Sequence, residues 1–278
     1  MIEKSFSLTS TITLDCRFLA GSVTVRALPD SSQASVRISA RANERVLEQF
    51  RVELTGDILY VLQSRDRAGA MMDNLFGRVG TSGVDVTVDL PAGSGLRVAV
   101  QSADIRTEGT LGATDLASGS ATVQLAEIDG DLRVRGGSGD IGIERVTGAT
   151  TIRGGSGSVR IRNAGRQLSV GLGSGDLHVG AAHGRVRMRS GSGGVTIGLA
   201  DGDVDVTSGS GSVRVGLAAG RAARLDVLTG SGRLHTDMPV QAQAPAGQDA
   251  EPVTVRARTG AGDVTIQRAD PSLLAAAG

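Results

Sequence analysis

The side chains of this sequence best suited to a binding task are arginines that crowd one part of the chain. Residues 131–189 contain ten arginines against four acidic residues. Guanidinium groups bind carboxylate, sulfate and phosphate through paired hydrogen bonds. The cluster therefore favours the binding of an anionic polymer, a protein or a lipid headgroup. The alternative is that these charges only keep the surface soluble and protect the sheet faces.

The candidate binding arginines recur at equivalent positions of an eighteen-residue period, which would align them in rows with neighbours about 4.8 Å apart. These candidates are Arg133, Arg135, Arg153, Arg160, Arg187 and Arg189. No aromatic residue lies between them, so base stacking is not expected. Sequence-specific nucleic-acid recognition is accordingly not predicted.

A second candidate binding surface is the segment 63–82, which interrupts the strand pattern. Met71, Met72 and Phe76 are spaced there as on one face of a short helix. The favoured interpretation is a lid over the core. The alternative is a docking segment for a partner or a membrane surface, because methionine-rich apolar patches adapt to different ligands.

The sequence gives less support to a metal site than to these binding surfaces. Asp201, Asp203 and Asp205 alternate and so share one outer face, which favours a solvated edge over a hard-cation site. The segment 136–141 is similar to Gly/Asp nonapeptides that bind calcium, but its aspartate stands fifth instead of sixth. The three histidines have no zinc-site spacing with the single cysteine. We predict no catalytic residue, no metal and no cofactor.

Serines supply the strongest periodic signal of the chain. Seven of them stand eighteen residues apart, at Ser102, Ser120, Ser138, Ser156, Ser174, Ser192 and Ser210. A fixed period of this length is typical of a solenoid. No histidine recurs beside these serines to act as a base, so we expect them to form a structural ladder at one corner of the solenoid.

Apolar residues alternate at two places within each repeat, nine residues apart. One repeat shows the pattern with Val159 and Ile161 followed by Leu168 and Val170. Each alternation is typical of a short strand with one buried face. The sequence therefore predicts an all-β, single-chain β-solenoid (β-helix), right-handed, with 18-residue coils of two main strands each.

The regularity of the pattern divides the chain into parts. Residues 1–62 are predicted to form irregular N-terminal strands that also cap the solenoid, and 63–82 the lid. Residues 83–268 are predicted to form the regular solenoid, with a Pro/Ala/Gln-rich loop inserted at 238–252. Residues 269–278 form a C-terminal tail.

Composition limits the surroundings that we expect for the protein. The formal net charge is zero, so whole-molecule attraction to nucleic acid or membrane is not predicted. Cys16 is the only cysteine and fits a reducing compartment. No apolar leader or run long enough for a membrane span is evident, and the expected location is cytoplasmic.

The stretch VDVTVDLPAGSGLRVAVQSADIRTEGTLGATDLASGSATVQL, followed by repeated Ser-Gly-Ser-Gly lines, resembles the bacterial putative-adhesin, β-strand-repeat family of toastrack domains. The resemblance covers residues 5–268. It implies a toastrack-like β-solenoid and carries no catalytic residues over to this chain. Some relatives are exported or tethered to membranes.

Three classes of function are compatible with these observations. The favoured class is a non-catalytic binding or scaffold protein that presents flat outer faces to a protein or polyanionic partner. The alternative is a self-associating, polymer-forming β-helix. The third class, a polysaccharide-active enzyme, is the least supported, because such enzymes cluster carboxylates beside aromatic residues and aromatics make up only 2% of this chain.

Overall fold

The computed structural model of the chain describes residues 1–64, 83–218, 222–238 and 252–269. The chain divides into two compact units, Met1–Gly137 and Ser138–Gly278. In both units the described residues are predominantly β-strand, and the one helix among them is a 3₁₀ helix at Glu44–Gln49. Strands of successive coils pair in parallel, which confirms the predicted all-β solenoid class.

The first unit is organised around one long strand. β2 pairs in parallel with β5, β6 and β7 along different parts of its length. β1 pairs antiparallel with β3, and β4 pairs antiparallel with β5. The strands of this unit are β1 (Ile2–Ser7), β2 (Thr13–Leu28), β3 (Gln33–Ala40), β4 (Phe50–Thr55), β5 (Ile58–Gln63), β6 (Val84–Pro91), β7 (Gly95–Glu108), β8 (Thr110–Leu111), β9 (Thr114–Ser120), β10 (Val123–Ile128) and β11 (Leu132–Ser138).

The second unit consists of repeated coils with two strands each. Its strands are β12 (Ile141–Val146), β13 (Ala149–Ser156), β14 (Val159–Ala164), β15 (Gln167–Ser174), β16 (Leu177–Ala182), β17 (Arg185–Ser192), β18 (Val195–Ala200), β19 (Val204–Ser210), β20 (Val213–Leu217), β21 (Ala223–Ser231), β22 (Leu234–Thr236), β23 (Val253–Ala261) and β24 (Val264–Arg268). We call the ladder that begins β12, β14, β16 the first ladder and the one that begins β13, β15, β17 the second ladder.

Pairing in both ladders keeps equivalent residues together. Ile141 lies beside Val159 in the first ladder, and Ile152 lies beside Val170 in the second. Each pair is separated by eighteen residues of sequence, so side chains at equivalent positions line up in rows from coil to coil. The inward rows are apolar and buried, as the alternation predicts.

The serine ladder is confirmed, at a slightly different place in the coil. Ser156, Ser174, Ser192 and Ser210 are the last residues of their strands and pair with one another. The hydroxyl of Ser174 donates to the Oγ of Ser156 at 3.2 Å. The turn itself is made by the glycine that follows each serine, which adopts a positive φ.

The end of the second unit departs from sequence order. β23 pairs with β19 on one side and with β21 on the other, and β24 lies likewise between β20 and β22. The coil at 253–268 is thus inserted between two coils that precede it in the chain. The outermost coil of the described residues at this end is the one formed by β21 and β22.

The predicted lid, inserted loop and tail fall largely outside the described residues, at 65–82, 239–251 and 270–278. The predicted domain boundaries and the right-handed coil remain predictions. Within the described residues, no helix is long and apolar enough to span a membrane.

Candidate functional site

The candidate site lies on the outward face of the second ladder in the second unit. In β13 and β17, Ile152 and Met188 point into the core and are 0% exposed. Their neighbours Arg153 and Arg189 occupy the next position and are exposed. Because successive side chains of a strand point to opposite faces, these two arginine side chains lie on the surface.

The two arginines belong to one row that runs across five paired strands. Arg153 pairs with Gly171, and Gly171 pairs with Arg189. The row continues through Thr207 to Arg258. We call these five residues the arginine row, and it contains no acidic residue.

Arg153 and Arg189 make no ion pair with any described residue. Arg258 lies 3.8 Å from Asp226, which also holds Arg256 at 2.8 Å. Guanidinium groups that are exposed and not held in an ion pair are free to bind an anion from solution. The arginine row is therefore the least neutralised of the predicted arginine positions in this ladder.

The neighbouring outward row is neutralised by its own charges. Arg187, Asp205, Arg256 and Asp226 follow one another on adjacent strands, so that positive and negative residues alternate. The Arg187 Nε lies 3.9 Å from the Asp205 carboxylate. Arg187, a predicted binding residue, is thus already partnered within the protein.

The remaining predicted residues are dispersed. Arg133 and Arg135 lie in the first unit, and Arg135 forms an ion pair with Asp115 at 2.9 Å. Arg160 is exposed on the first ladder, in a row with His178 and Arg214. The structure thus places Arg153 and Arg189 in one row and separates them from Arg160. Met71, Met72 and Phe76 lie outside the described residues.

The aspartate cluster at 201–205 is engaged by basic residues one coil earlier. His183 Nδ1 lies 2.8 Å from Asp201, and Arg185 lies 3.0 Å from Asp203. Asp203 also accepts the backbone N–H of Thr254 at 3.0 Å. This backbone hydrogen bond, with a smaller contribution from Arg185, lowers the pKa of Asp203 below its usual value.

Sequence reasoning treated this cluster as a solvated edge and missed its partners. The signal was available, because His183-Gly-Arg-Val-Arg187 stands eighteen residues before Asp201-Gly-Asp-Val-Asp205. Equivalent residues of successive coils are neighbours, so the basic line lies directly beside the acidic one.

The aspartates of the Ser-Gly-Asp turns have a structural role of their own. Asp140 accepts the backbone N–H of Ser158 at 2.8 Å, and Asp176 accepts that of Gly194 at 2.7 Å. Asp104 and Asp263, at the equivalent position of turns with a different sequence, make the same kind of bond to the adjacent coil. Each carboxylate therefore ties one coil to the next at a corner where strand pairing ends. Among the described residues, no group of three or more His, Cys, Asp or Glu is arranged to hold a metal ion.

Cys16 is buried in the first unit, and burial raises the pKa of its thiol. Reactive cysteines need the thiolate form and access to solvent. Cys16 therefore acts as a small apolar core residue.

A family model described as Toastrack DUF4097 matches residues 18–268. Among solved structures, a putative adhesin from Bacteroides fragilis is similar at 12% identity and a TM-score of 0.51, with 96% of each chain covered. A putative lipid binding protein from Parabacteroides distasonis is similar at 11% identity and a TM-score of 0.32, with 97% of this chain and 96% of that chain covered. No curated protein matches the chain. Identities this low establish likeness of fold alone.

Proposed function

The chain belongs to the Toastrack DUF4097 family, and from this premise we propose that it is a non-catalytic binding or scaffold protein whose flat outer strand faces bind a protein or polyanionic partner. The name of the Bacteroides fragilis neighbour, a putative adhesin, agrees with a binding role. In this proposal the coils serve as a rigid support, and the outward side chains of the strands make the contacts.

The observation that carries the proposal is the presence of unpaired arginines in one row of the second unit. Some exposed arginines of this protein are partnered within it, as Arg135, Arg185 and Arg187 are. Arg153 and Arg189 have no such partner among the described residues, and no acid lies in their row. A row of this kind attracts a negatively charged partner and holds it by charge-assisted hydrogen bonds.

A heparin column tests the polyanion part of the proposal. We expect the protein to be retained and to elute earlier as salt screens the attraction. The double substitution Arg153→Glu and Arg189→Glu should weaken binding by about tenfold or more, because two attractive contacts become repulsive.

Arg160→Glu combined with Arg214→Glu is the matched control, because it makes the same change of charge on the first ladder. Equal losses in both double variants would mean that overall charge, and not the arginine row, determines retention. If elution from heparin does not depend on salt and is unchanged in both double variants, the polyanion proposal is wrong.

A second candidate function, self-association, is favoured by the outermost coil at the end of the second unit. Within the described residues, β21 pairs only with β23 and β22 only with β24. Leu228 and Leu234 on this coil are 64% and 48% exposed. An open strand edge with exposed apolar side chains is a template for pairing with another chain.

Light scattering coupled to size-exclusion chromatography tests this second candidate. If the edge mediates assembly, the mass of the wild-type protein should rise with concentration, and Leu228→Arg with Leu234→Arg should return it to the monomer. A mass that stays monomeric over a wide range of concentration would eliminate self-association.

A further inference from the structure

Gly171 is a glycine that the backbone does not require. It lies in the middle of β15, outside the positive-φ region, and a Cβ added to it would meet nothing within 4 Å. At most other strand glycines of this unit, an added Cβ would collide with the backbone of the neighbouring strand. A Cβ on Gly173, for example, would lie 2.7 Å from the carbonyl oxygen of Gly155. Glycine in a strand interior weakens the strand. Where the fold does not require such a glycine, it often marks a place where a ligand or another backbone comes close to the strand.

Gly171 lies between two arginines on the neighbouring strands. Arg153 is its partner on one neighbouring strand and Arg189 its partner on the other. Because adjacent strands are about 4.8 Å apart, the backbones of the two arginines are about 10 Å apart with no side chain between them. An arginine therefore stands on each side of a position where the strand carries no side chain, and we call this position with its two flanking arginines the slot.

The groups around the slot are polar and carry little negative charge. Ser169, two residues before Gly171 on the same face of β15, places a hydroxyl group near it, and Thr207 places another on the far side of Arg189. The nearest acid in the adjacent row is Asp205, which is already close to Arg187. An anionic group in the slot would therefore meet two cations, while hydroxyl groups nearby could bond to neutral parts of the same molecule.

We propose that Arg153, Gly171 and Arg189 form a slot that binds the carboxylate or sulfate groups of an acidic polysaccharide lying along the arginine row. This inference rests on the proposed polyanion-binding function and specifies its site and partner. Guanidinium groups match the planar carboxylate and the sulfate oxygens, and the flanking hydroxyls suit the hydroxyl groups of sugars. Residues 138–278 contain no Phe, Trp or Tyr, so the stacking surface that single-stranded nucleic acid uses is absent.

Gly171→Gln tests the slot without removing any charge. The new side chain points outward into open space and fills the gap between the arginines. We expect affinity for a heparin oligosaccharide to fall by about tenfold or more, because the anion loses its close approach to both guanidinium groups. The melting temperature should stay the same or rise, since a strand glycine is replaced. Thr196→Gln, an outward substitution on the first ladder, is the control and should leave binding unchanged.

A second variant, Arg153→Gln with Arg189→Gln, keeps the test decisive if Gly171→Gln does not fold. It alters only exposed side chains, and binding should again fall by about tenfold or more. Heparin binding that is unchanged in both slot variants would overturn the slot while leaving polyanion binding by another face intact. A wild-type protein that binds no polyanion would overturn the proposed function and the slot together.

The same measurements with inorganic polyphosphate and with single-stranded DNA test the class of ligand. We expect both to bind more weakly than a heparin oligosaccharide of similar charge. Polyphosphate has no sugar hydroxyls, and the internal deoxyribose units of DNA have none free. Residues 138–278 contain no Phe, Trp or Tyr on which DNA bases could stack. Equal or tighter binding of either one, lost in the slot variants, would overturn the assignment to polysaccharide.

Discussion

Replacing Gly175 with alanine is expected to lower the free energy of unfolding by about 3 kcal/mol or more. Gly175 forms the corner after the serine ladder and has a φ of 125°, which side chains with a Cβ rarely adopt. A Cβ at this position would also lie 2.1 Å from the carbonyl oxygen of Gly157, the equivalent residue of the preceding coil. Neither backbone can move away without disturbing the coils that stack above and below, so the strain cannot be relieved locally.

Gly171→Ala is the matched control for this prediction. It makes the same chemical change four residues earlier, at a position with ordinary φ and open space around the Cβ. Its stability should be unchanged or slightly higher. Denaturant titrations of both variants beside the wild type measure the difference. Similar losses in the two would show that the corner geometry is not what makes Gly175 necessary.

Met188→Ala should destabilise the protein by about 2–5 kcal/mol. Met188 is 0% exposed and lies in the inward row between Val170 and Val206. Removing its side chain leaves a cavity that the flanking coils cannot close, because their spacing is set by the strand ladders on both sides.

Met188→Leu keeps nearly the same volume and should cost less than about 1.5 kcal/mol. The comparison of the two Met188 variants by denaturant titration separates loss of packing from loss of the thioether itself. If the leucine variant were as unstable as the alanine variant, the cavity explanation would be wrong.

The recurrent Ser-Gly-Asp turn shows how one short motif performs several structural tasks. The serine ends the second strand, the glycine makes the corner, and the aspartate binds the backbone of the adjacent coil, as Asp140 and Asp176 do. These tasks account for the corner glycines and for Asp140 and Asp176. Residues that they do not account for, such as Gly171, are therefore the informative ones for function.

Much of the candidate site could be anticipated from the sequence, but not its most specific part. The eighteen-residue period predicted that Arg153 and Arg189 share a row, because equivalent residues of successive coils must align. It did not show that Arg135 and Arg187 are already paired, since an ion pair depends on which outward side chains face each other across adjacent strands. Nor could it distinguish Gly171 from the corner glycines, because that difference lies in φ and in the space around the Cβ.

By itself, the sequence determined the strands, their buried faces and the serine ladder. Two-residue alternation determines which side chains are buried, and a fixed period aligns equivalent residues of successive coils. Only the tertiary structure decided the order of the last coils. The coil of β23 and β24 stacks between the coil of β19 and β20 and the coil of β21 and β22, although it comes last in the chain. The period breaks after Ser210, and beyond that point any coil with matching apolar rows can stack on the open edge. The choice among them then depends on packing of the whole chain and not on local pattern.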